Sequence, residues 1–437
     1  MKFDNKIIYV LFVLSVLLYL DCTAQTRTVY SLEKCLEIAY STNPSLKSIA
    51  SQVAAAEAKK NEAWSNYFFS ASVGGQAIYN SDFMSAELPL PGGTNRLEFG
   101  GHETYDFSVQ VRQPLFTGFQ IDQLNNIARL SLASEQQKEK YQKKLLKYLI
   151  TISYFRMQLM LWYQEIAQTS KRQMQEHLTD ISNRYQQGMT PKYEVMLVEY
   201  RLAEADQNIV QAANAMRLAR TALNNHMGIA QDSSYSIVVD SVFIPQSYNL
   251  ENLIAAGLQT RGDLGALRYR EQQTDHFIGL QKGDWYPHLF AFGSYHYGKP
   301  GVNPIANEWM DYWSVGLSLQ WNIWDWGRRQ SKINQAQLQY KGIQYTRDKL
   351  QQDIEKDIID AYVRVNESAD LVNLVKKEVQ QSEALFQYVR DNYVEGLVSN
   401  TDFIDRQLEL TRARLKKAQS IAQYQIAVAN LERAVGK

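Results

Sequence analysis

Asp402 and Asp405 are the pair of ionisable residues whose spacing could do chemistry. They stand three apart, so a helix would put both on one face. Close carboxylates repel, raise one another's pKa and attract cations. The same stretch has a structural reading. Ser399-Asn400-Thr401-Asp402 is a capping box, and acids favour a helix N-terminus without any transport role. Both readings stay open at this point. Glu194 follows Thr190-Pro191, which reads as an N-cap and first helical residue. It is either one more N-terminal acid, the reading favoured here, or a partner in an inter-helix hydrogen bond. His288 and His296 lie eight apart on one strand phase, with no nearby acid or Cys to complete a metal site. No His-Glu-x-x-His, Gly-x-Ser-x-Gly or phosphate-binding glycine loop occurs. The expectation is therefore no catalytic residue, no cofactor and no metal.

The aromatic residues form a second kind of grouping. Trp309, Tyr312 and Trp313 cluster before and within one candidate strand, and Trp321, Trp324 and Trp326 cluster after it. Amphipathic rings collect at the two interfaces of a membrane; a sugar- or cofactor-binding platform is the rival. Composition agrees with a membrane interface and long helices. The 437 residues include 27 Tyr but only 9 Pro. Lys+Arg and Asp+Glu both number 46, so the basic excess of nucleic-acid binders is missing. Two Cys exclude a disulfide scaffold. Cys35, at helical spacing among Leu32, Leu36 and Ala39, reads as core.

Residues 1–24 read as an export signal. Lys2 and Lys6 precede the uncharged run Ile7 to Leu20, and Cys22-Thr23-Ala24 offers small residues for cleavage before Gln25. The rivals are a lipoprotein acylated at Cys22, which bulky Tyr19-Leu20-Asp21 argues against, and a retained anchor. No other run is long enough to span as a helix, which takes about 20 apolar residues. Entry into a membrane therefore requires a closed β-barrel.

The elements that position these residues come twice. Asn183-Arg184-Tyr185-Gln186-Gln187-Gly188 reappears 208 residues later as Asp391-Asn392-Tyr393-Val394-Glu395-Gly396. Leu223 and Gly228 match Leu431 and Gly436 at the same spacing, as does Pro114-Leu115-Phe116-Thr117 with Asn322-Ile323-Trp324-Asp325. Ser31-Leu32-Glu33 matches Asn249-Leu250-Glu251 at 218, placing an insertion in the loop Ser81 to His102. Each copy reads as a helix, two strands, a long helix and a second helix. Period-2 alternation marks Phe69 to Tyr79, Tyr105 to Gln113 and Tyr312 to Trp321. In Leu289 to Tyr297 the alternation is spoiled by Phe290 and Phe292. Gly118 to Tyr185 holds no Pro and no other Gly. Leu145, Ile152, Leu159 and Ile166 recur every seven residues. So do Ile358, Val365, Val372 and Val379, with Ile354, Ala361 and Val375 beside them. These stripes imply coiled-coil packing. Four strands cannot close a barrel, for which about eight is the minimum, so several chains must share one.

These features together resemble the TolC-type outer-membrane efflux family. The resemblance rests on the Leu-Glu near each copy's start, on Leu115-Phe116-Thr117-Gly118 and Ile323-Trp324-Asp325-Trp326-Gly327, and on the Tyr-x-x-Gly tips. It covers about residues 29 to 436 and implies a membrane α+β fold. That fold is a homotrimer with a 12-stranded outer-membrane β-barrel, four strands per chain, continued by a long periplasmic α-helical coiled-coil tunnel. The implied organisation has two internal repeats. The first covers 25–228, with strands about 68–80 and 104–114 and a hairpin tip near 188. Residues 229–248 form an equatorial connection. The second repeat covers 249–437, with strands about 288–298 and 312–322 and a tip near 396. The implied function is the outer-membrane exit duct of a tripartite efflux pump. Its partners would be a periplasmic adaptor, an inner-membrane pump of RND or ABC type and outer-membrane lipid, without nucleic acid. A type I protein-secretion duct and a periplasmic coiled-coil scaffold are the alternatives. The cell would be a Gram-negative bacterium, with most of the chain in the periplasm. Asp402 and Asp405 match family acids just past the tip; in a trimer they, with Glu194, are the candidate gate. Tyr185, Gln187, Gly188, Tyr393, Glu395 and Gly396 are the candidate adaptor contacts. Some relatives carry a basic residue two past the tip Gly; here that position is Val398, so no latch of that kind is implied.

Overall fold

The computed structural model describes residues 28–82, 85–99, 101–239, 243–303 and 305–437. The export signal over 1–24, with Cys22, lies outside the described residues, as does Asp240 of the connection. In chain order the elements are β1 (Val29–Tyr30), α1 (Leu32–Thr42), α2 (Pro44–Ser65), β2 (Ser70–Tyr79), β3 (Ser85–Leu90), β4 (Gly93–Glu98) and β5 (Glu103–Thr117). Then come α3 (Gln120–Gln186), α4 (Lys192–Met227), β6 (Ser236–Ile237), α5 (Leu250–Thr260) and α6 (Gly262–Lys282). They are followed by β7 (His288–Lys299), β8 (Met310–Gln320), α7 (Arg328–Val394) and α8 (Asn400–Val435). Two compact units divide the chain, residues 1–47, 142–260 and 354–437, and residues 48–141 and 261–353.

In the second of these units, the main sheet is antiparallel in the order β2-β5-β7-β8. Its two faces differ. Val73, Tyr79, Phe107, Val109, Tyr295, Tyr297, Trp313, Val315, Leu317 and Leu319 are all exposed on one. The other carries Ser72, Gln76, Asp106, Ser108, Gln110, Arg112, Ser294, His296, Ser314 and Ser318. An apolar face turned outward from a polar one is the pattern of a lipid-facing strand set. Among the described residues, β2 and β8 pair on one side only. Despite its spoiled alternation, β7 is a full strand because it bonds to β5 and β8 on both sides. β5 continues past Pro114 through a bulge between Pro114 and Phe116, where a residue without an N–H is tolerated. The inserted loop folds into a hairpin of its own, β3 with β4.

Two strand-to-helix joints flank the long helices in this unit. Gly118 and Phe119 have φ of +60° and +66°, and Trp326 and Gly327 have +56° and +81°. Each joint is thus two successive left-handed residues, only one of them glycine. A Cβ on Gly118 would lie 2.4 Å from the Gly283 carbonyl oxygen. At the second joint the buried Arg329 pairs with Asp325 at 3.0 Å and donates to the Ile323 and Asp284 carbonyls.

Helices dominate the first unit. The single helix expected at the start of the chain is two, α1 and α2, interrupted at Asn43. The residue before a proline is disfavoured in the helical region, and Asn43 adopts ψ 122°. Its side-chain oxygen then accepts from the Ser45 N–H at 2.8 Å. β1 pairs in parallel with β6, and Tyr30 stacks on Tyr235 at 4.7 Å. Cys35 is fully buried, and burial pushes its thiol up to about 12. The stripe Ile354, Ile358, Ala361, Val365, Val372, Val375 and Val379 is buried along α7. On α3 the buried positions include Leu146, the unbroken run Ile150 to Tyr154, and Met157, while Leu145 and Leu159 are only half-buried. There the expected stripe is off, because α3 is covered on more than one side. The Tyr154 hydroxyl, for example, donates to the Val238 carbonyl of the connection at 2.8 Å.

α3 and α7 each have 67 residues, α4 and α8 each have 36, and corresponding helices begin 208 residues apart. The ends correspond in detail. Gly228 and Gly436 adopt φ of +73° and +78°. Ile229 N–H bonds to the Asn224 carbonyl, and Lys437 N–H bonds to the Glu432 carbonyl.

Candidate functional site

The turns that end α3 and α7 have one hydrogen-bond pattern. Met189 N–H reaches the Arg184 carbonyl and Gly188 N–H the Tyr185 carbonyl; Leu397 N–H reaches Asn392 and Gly396 N–H reaches Tyr393. This is the Schellman arrangement, which needs a left-handed residue after the helix. Gly188 and Gly396 supply it at φ +72° and +76°, with open space around both.

Behind these turns the four helix ends pack around Met174, Ile181, Val198, Val389, Tyr393, Phe403 and Ile404, with Val398 against them. One polar chain crosses this apolar cluster. The Asn400 side-chain amide donates to Glu194 Oε2 at 2.6 Å. Its oxygen meets His177 Nε2, also at 2.6 Å. Since the Asn400 oxygen can only accept, His177 Nε2 carries the proton. Burial holds the His177 imidazole below its ordinary value, against the opposing pull of the Asn400 bond and of Asp180 and Glu194. His177 is therefore neutral at pH 7. Its ring lies 4.5 Å from Phe403 and 5.4 Å from Tyr393. Glu194, on α4, is thus tied through Asn400, on α8, to His177, on α3.

The other candidates are placed as follows. Asp402 accepts from the Ser399 hydroxyl at 2.6 Å, while its own N–H donates to that hydroxyl at 3.1 Å. The cap is one-sided, since the carboxylate binds the Ser399 hydroxyl and not the N-cap N–H. Asp405 lies half-buried one turn further along α8. Pro191 is the N-cap of α4, not its first residue, and no side chain caps there. Tyr185 is exposed, as are Gln187, Gly188, Glu395 and Gly396. Tyr393 is buried under the Arg184 guanidinium, 4.9 Å away, and burial pushes its phenol up.

Among the interface aromatics, Trp309 stacks on Tyr105 and Tyr297 at 5.6 and 5.1 Å, and Trp313 shares their face. Tyr312 is on the opposite, polar face, stacked on His296 at 4.7 Å. Trp321 donates to the Trp285 carbonyl at 3.1 Å, and Trp324 packs edge-on against Trp326. Sequence reasoning missed His177 and Asn400. Asn400 was hidden in the capping motif, and a lone histidine on a helix carries no spacing signal.

The model of the family described as outer membrane efflux protein matches residues 35–229 and 253–437. A protein described as toxin and drug export protein A, from Aggregatibacter actinomycetemcomitans, is 21% identical over 337 residues, covering 74% of this chain and 72% of that protein. Among solved structures, CusC superposes with a TM-score of 0.78 at 15% identity, over 94% of this chain and 93% of that one. The outer membrane protein VceC of Vibrio cholerae superposes with 0.76 at 16% identity, over 93% and 96%.

Proposed function

We propose that this chain, which belongs to the outer membrane efflux protein family and resides in the outer membrane, is the passive exit duct of a tripartite efflux pump. The four-stranded sheet carries this reading, because its apolar face is exposed and its edge strands β2 and β8 each lack a second neighbour among the described residues. Open strand edges are not tolerated in hydrocarbon. A copy of β2 pairing with a neighbour's β8 removes both edges. Three chains of four strands then give a closed barrel of twelve strands, well above the minimum of about eight.

In this reading residues 25–228 and 249–437 are two repeats joined by an equatorial connection at 229–248. The heptad-packed helices form a periplasmic tunnel. The exposed tip residues Tyr185, Gln187, Gly188, Glu395 and Gly396 meet a periplasmic adaptor, over a floor that includes Tyr393. Asp402, Asp405 and Glu194 ring the tunnel end. Trp309 and Trp313 mark one membrane interface, and Trp321 and Trp324 the other. Energy comes from an inner-membrane pump of RND or ABC type. The name of the toxin and drug export relative favours a second reading, a type I secretion duct of the same architecture.

The test is a photocrosslinking residue in place of Gln187 or Leu397 in living cells, read by mass spectrometry. Capture of a periplasmic adaptor is the expected result. Capture of sister copies alone would reject docking at the tips. Capture of a cell-surface or cytosolic protein would overturn the topology.

A further inference from the structure

Two phenylalanines stand on the wrong face of the sheet. The pairing register puts Phe292 directly opposite Arg112 on β5 and Gly316 on β8, and Phe290 opposite Pro114 and Ser318. Both rings therefore share the face of Ser72, Gln110, Ser294 and Ser314. They are not stray. The Arg112 guanidinium lies over the Phe290 ring, 3.9 Å from its centre. Phe292 lies across β8 so closely that a Cβ on Gly316 would come within 2.7 Å of its ring. Glycine at 316 is what makes room for it, and the ring stays 41% exposed.

Arg112 forms no ion pair among the described residues, and its side chain is exposed. Asp106, the acid of this face on β5, is six residues away and is held by His296 at 2.9 Å. The result is a free fork of N–H donors beside an aromatic floor. A guanidinium takes a carboxylate or sulfonate through two parallel hydrogen bonds. The faces of Phe290 and Phe292 take an apolar body beside it. A bare inorganic ion would gain nothing from the rings, and an organic cation would be repelled by Arg112.

We propose that Arg112, Phe290 and Phe292 form a binding site for organic anions with an aromatic body on the polar face of the sheet. The inference rests on the proposed duct, in which this face is the water-lined wall. The site then acts on cargo in transit and favours acidic over basic amphipathic solutes.

The test uses the full chain in outer-membrane vesicles. Ser318→Cys reports beside the site. Gln76→Cys reports on the same face at a distance, and Val315→Cys reports on the apolar face. A neutral, water-soluble maleimide labels each, and the native Cys35 is buried. The probes are 1-naphthalenesulfonate and, as the matched cation, 1-naphthylmethylamine. The expected result is labelling at 318 and 76 but not at 315. Sulfonate alone should slow labelling at 318 by the factor 1 + [L]/Kd, about fourfold at three times its Kd. Arg112→Gln should abolish the slowing, and Phe290→Leu with Phe292→Leu should weaken it while leaving the charge. Absence of labelling at both 318 and 76 would overturn the duct reading itself, and the site with it. Labelling with no sulfonate effect, with equal slowing by the amine, or with slowing that survives Arg112→Gln would overturn the site and leave the duct standing.

Discussion

Asn400→Ala is the sharpest perturbation of the tip. The substitution removes two bonds at once. The bond from the Asn400 amide to Glu194 is charge-assisted and 2.6 Å long, a type worth about 1.5–3 kcal/mol. Glu194 is half-buried, so water replaces part of that. The His177 N–H, in contrast, is buried beside Phe403 and Tyr393. Left without its acceptor, it costs about 1–3 kcal/mol. A combined loss of about 2–4 kcal/mol follows, which is about a 30- to 700-fold rise in the open population at about 1.4 kcal/mol per decade. Amide hydrogen exchange with mass spectrometry reads this directly in peptides covering 174–198 and 396–407. Exchange in peptides of the main sheet serves as the internal control. Glu194→Gln keeps an acceptor and should change exchange far less. Tip exchange in Asn400→Ala within about threefold of the parent, under 0.7 kcal/mol, would refute the linkage of α4 to α8 through this side chain.

The same cluster has a pH signature. An unfolded His177 binds a proton below its ordinary value of 6.5, but the folded one only at lower pH. The tip is thus fully stable above 6.5 and loses stability as pH falls from there toward the folded value; His177→Gln should flatten that fall in tip exchange. Gly396→Ala meets open space and only the left-handed penalty, about 1–2 kcal/mol. Gly118→Ala drives a methyl into the Gly283 carbonyl and should lower the melting temperature several times as much. Asp402→Asn combined with Asp405→Asn should reduce cation preference in planar bilayers; an unchanged preference would remove these acids from the gate.

What the sequence discloses depends on how locally each feature is determined. The stripe from Ile354 to Val379 is legible because α7 buries one face at a constant spacing. The equivalent stripe on α3 misleads, since burial there runs unbroken from Ile150 to Tyr154, and Tyr154 bonds to Val238 of the connection, a contact that no periodicity in α3 records. The glycines at 188 and 396 announce their turns, because few other residues accept that backbone. The parallel pair β1 with β6 is two residues long on each side, too short to leave a pattern. Asn400 is legible as part of a cap, but its reach to Glu194 and His177 depends on two helices brought alongside from more than 200 residues away. Phe290 and Phe292 show the opposite case. Their violation of the alternation is visible in the sequence, and the reason, Arg112 on one side and Gly316 on the other, is visible only in the register.

The equal helices are a pair of matched rulers. Each hairpin is made of 67 and 36 residues, and the contact of Glu194 and His177 with Asn400 exists only while both reach equally far. Removing one heptad from both arms of the first hairpin alone would draw its turn back by about 10 Å and part those residues. Removing it from both arms of both hairpins would leave them opposite one another. Insertions and deletions in these helices are therefore tolerated only in concert, in whole heptads across four arms. A lineage that lengthens or shortens this protein must change both halves of its gene together.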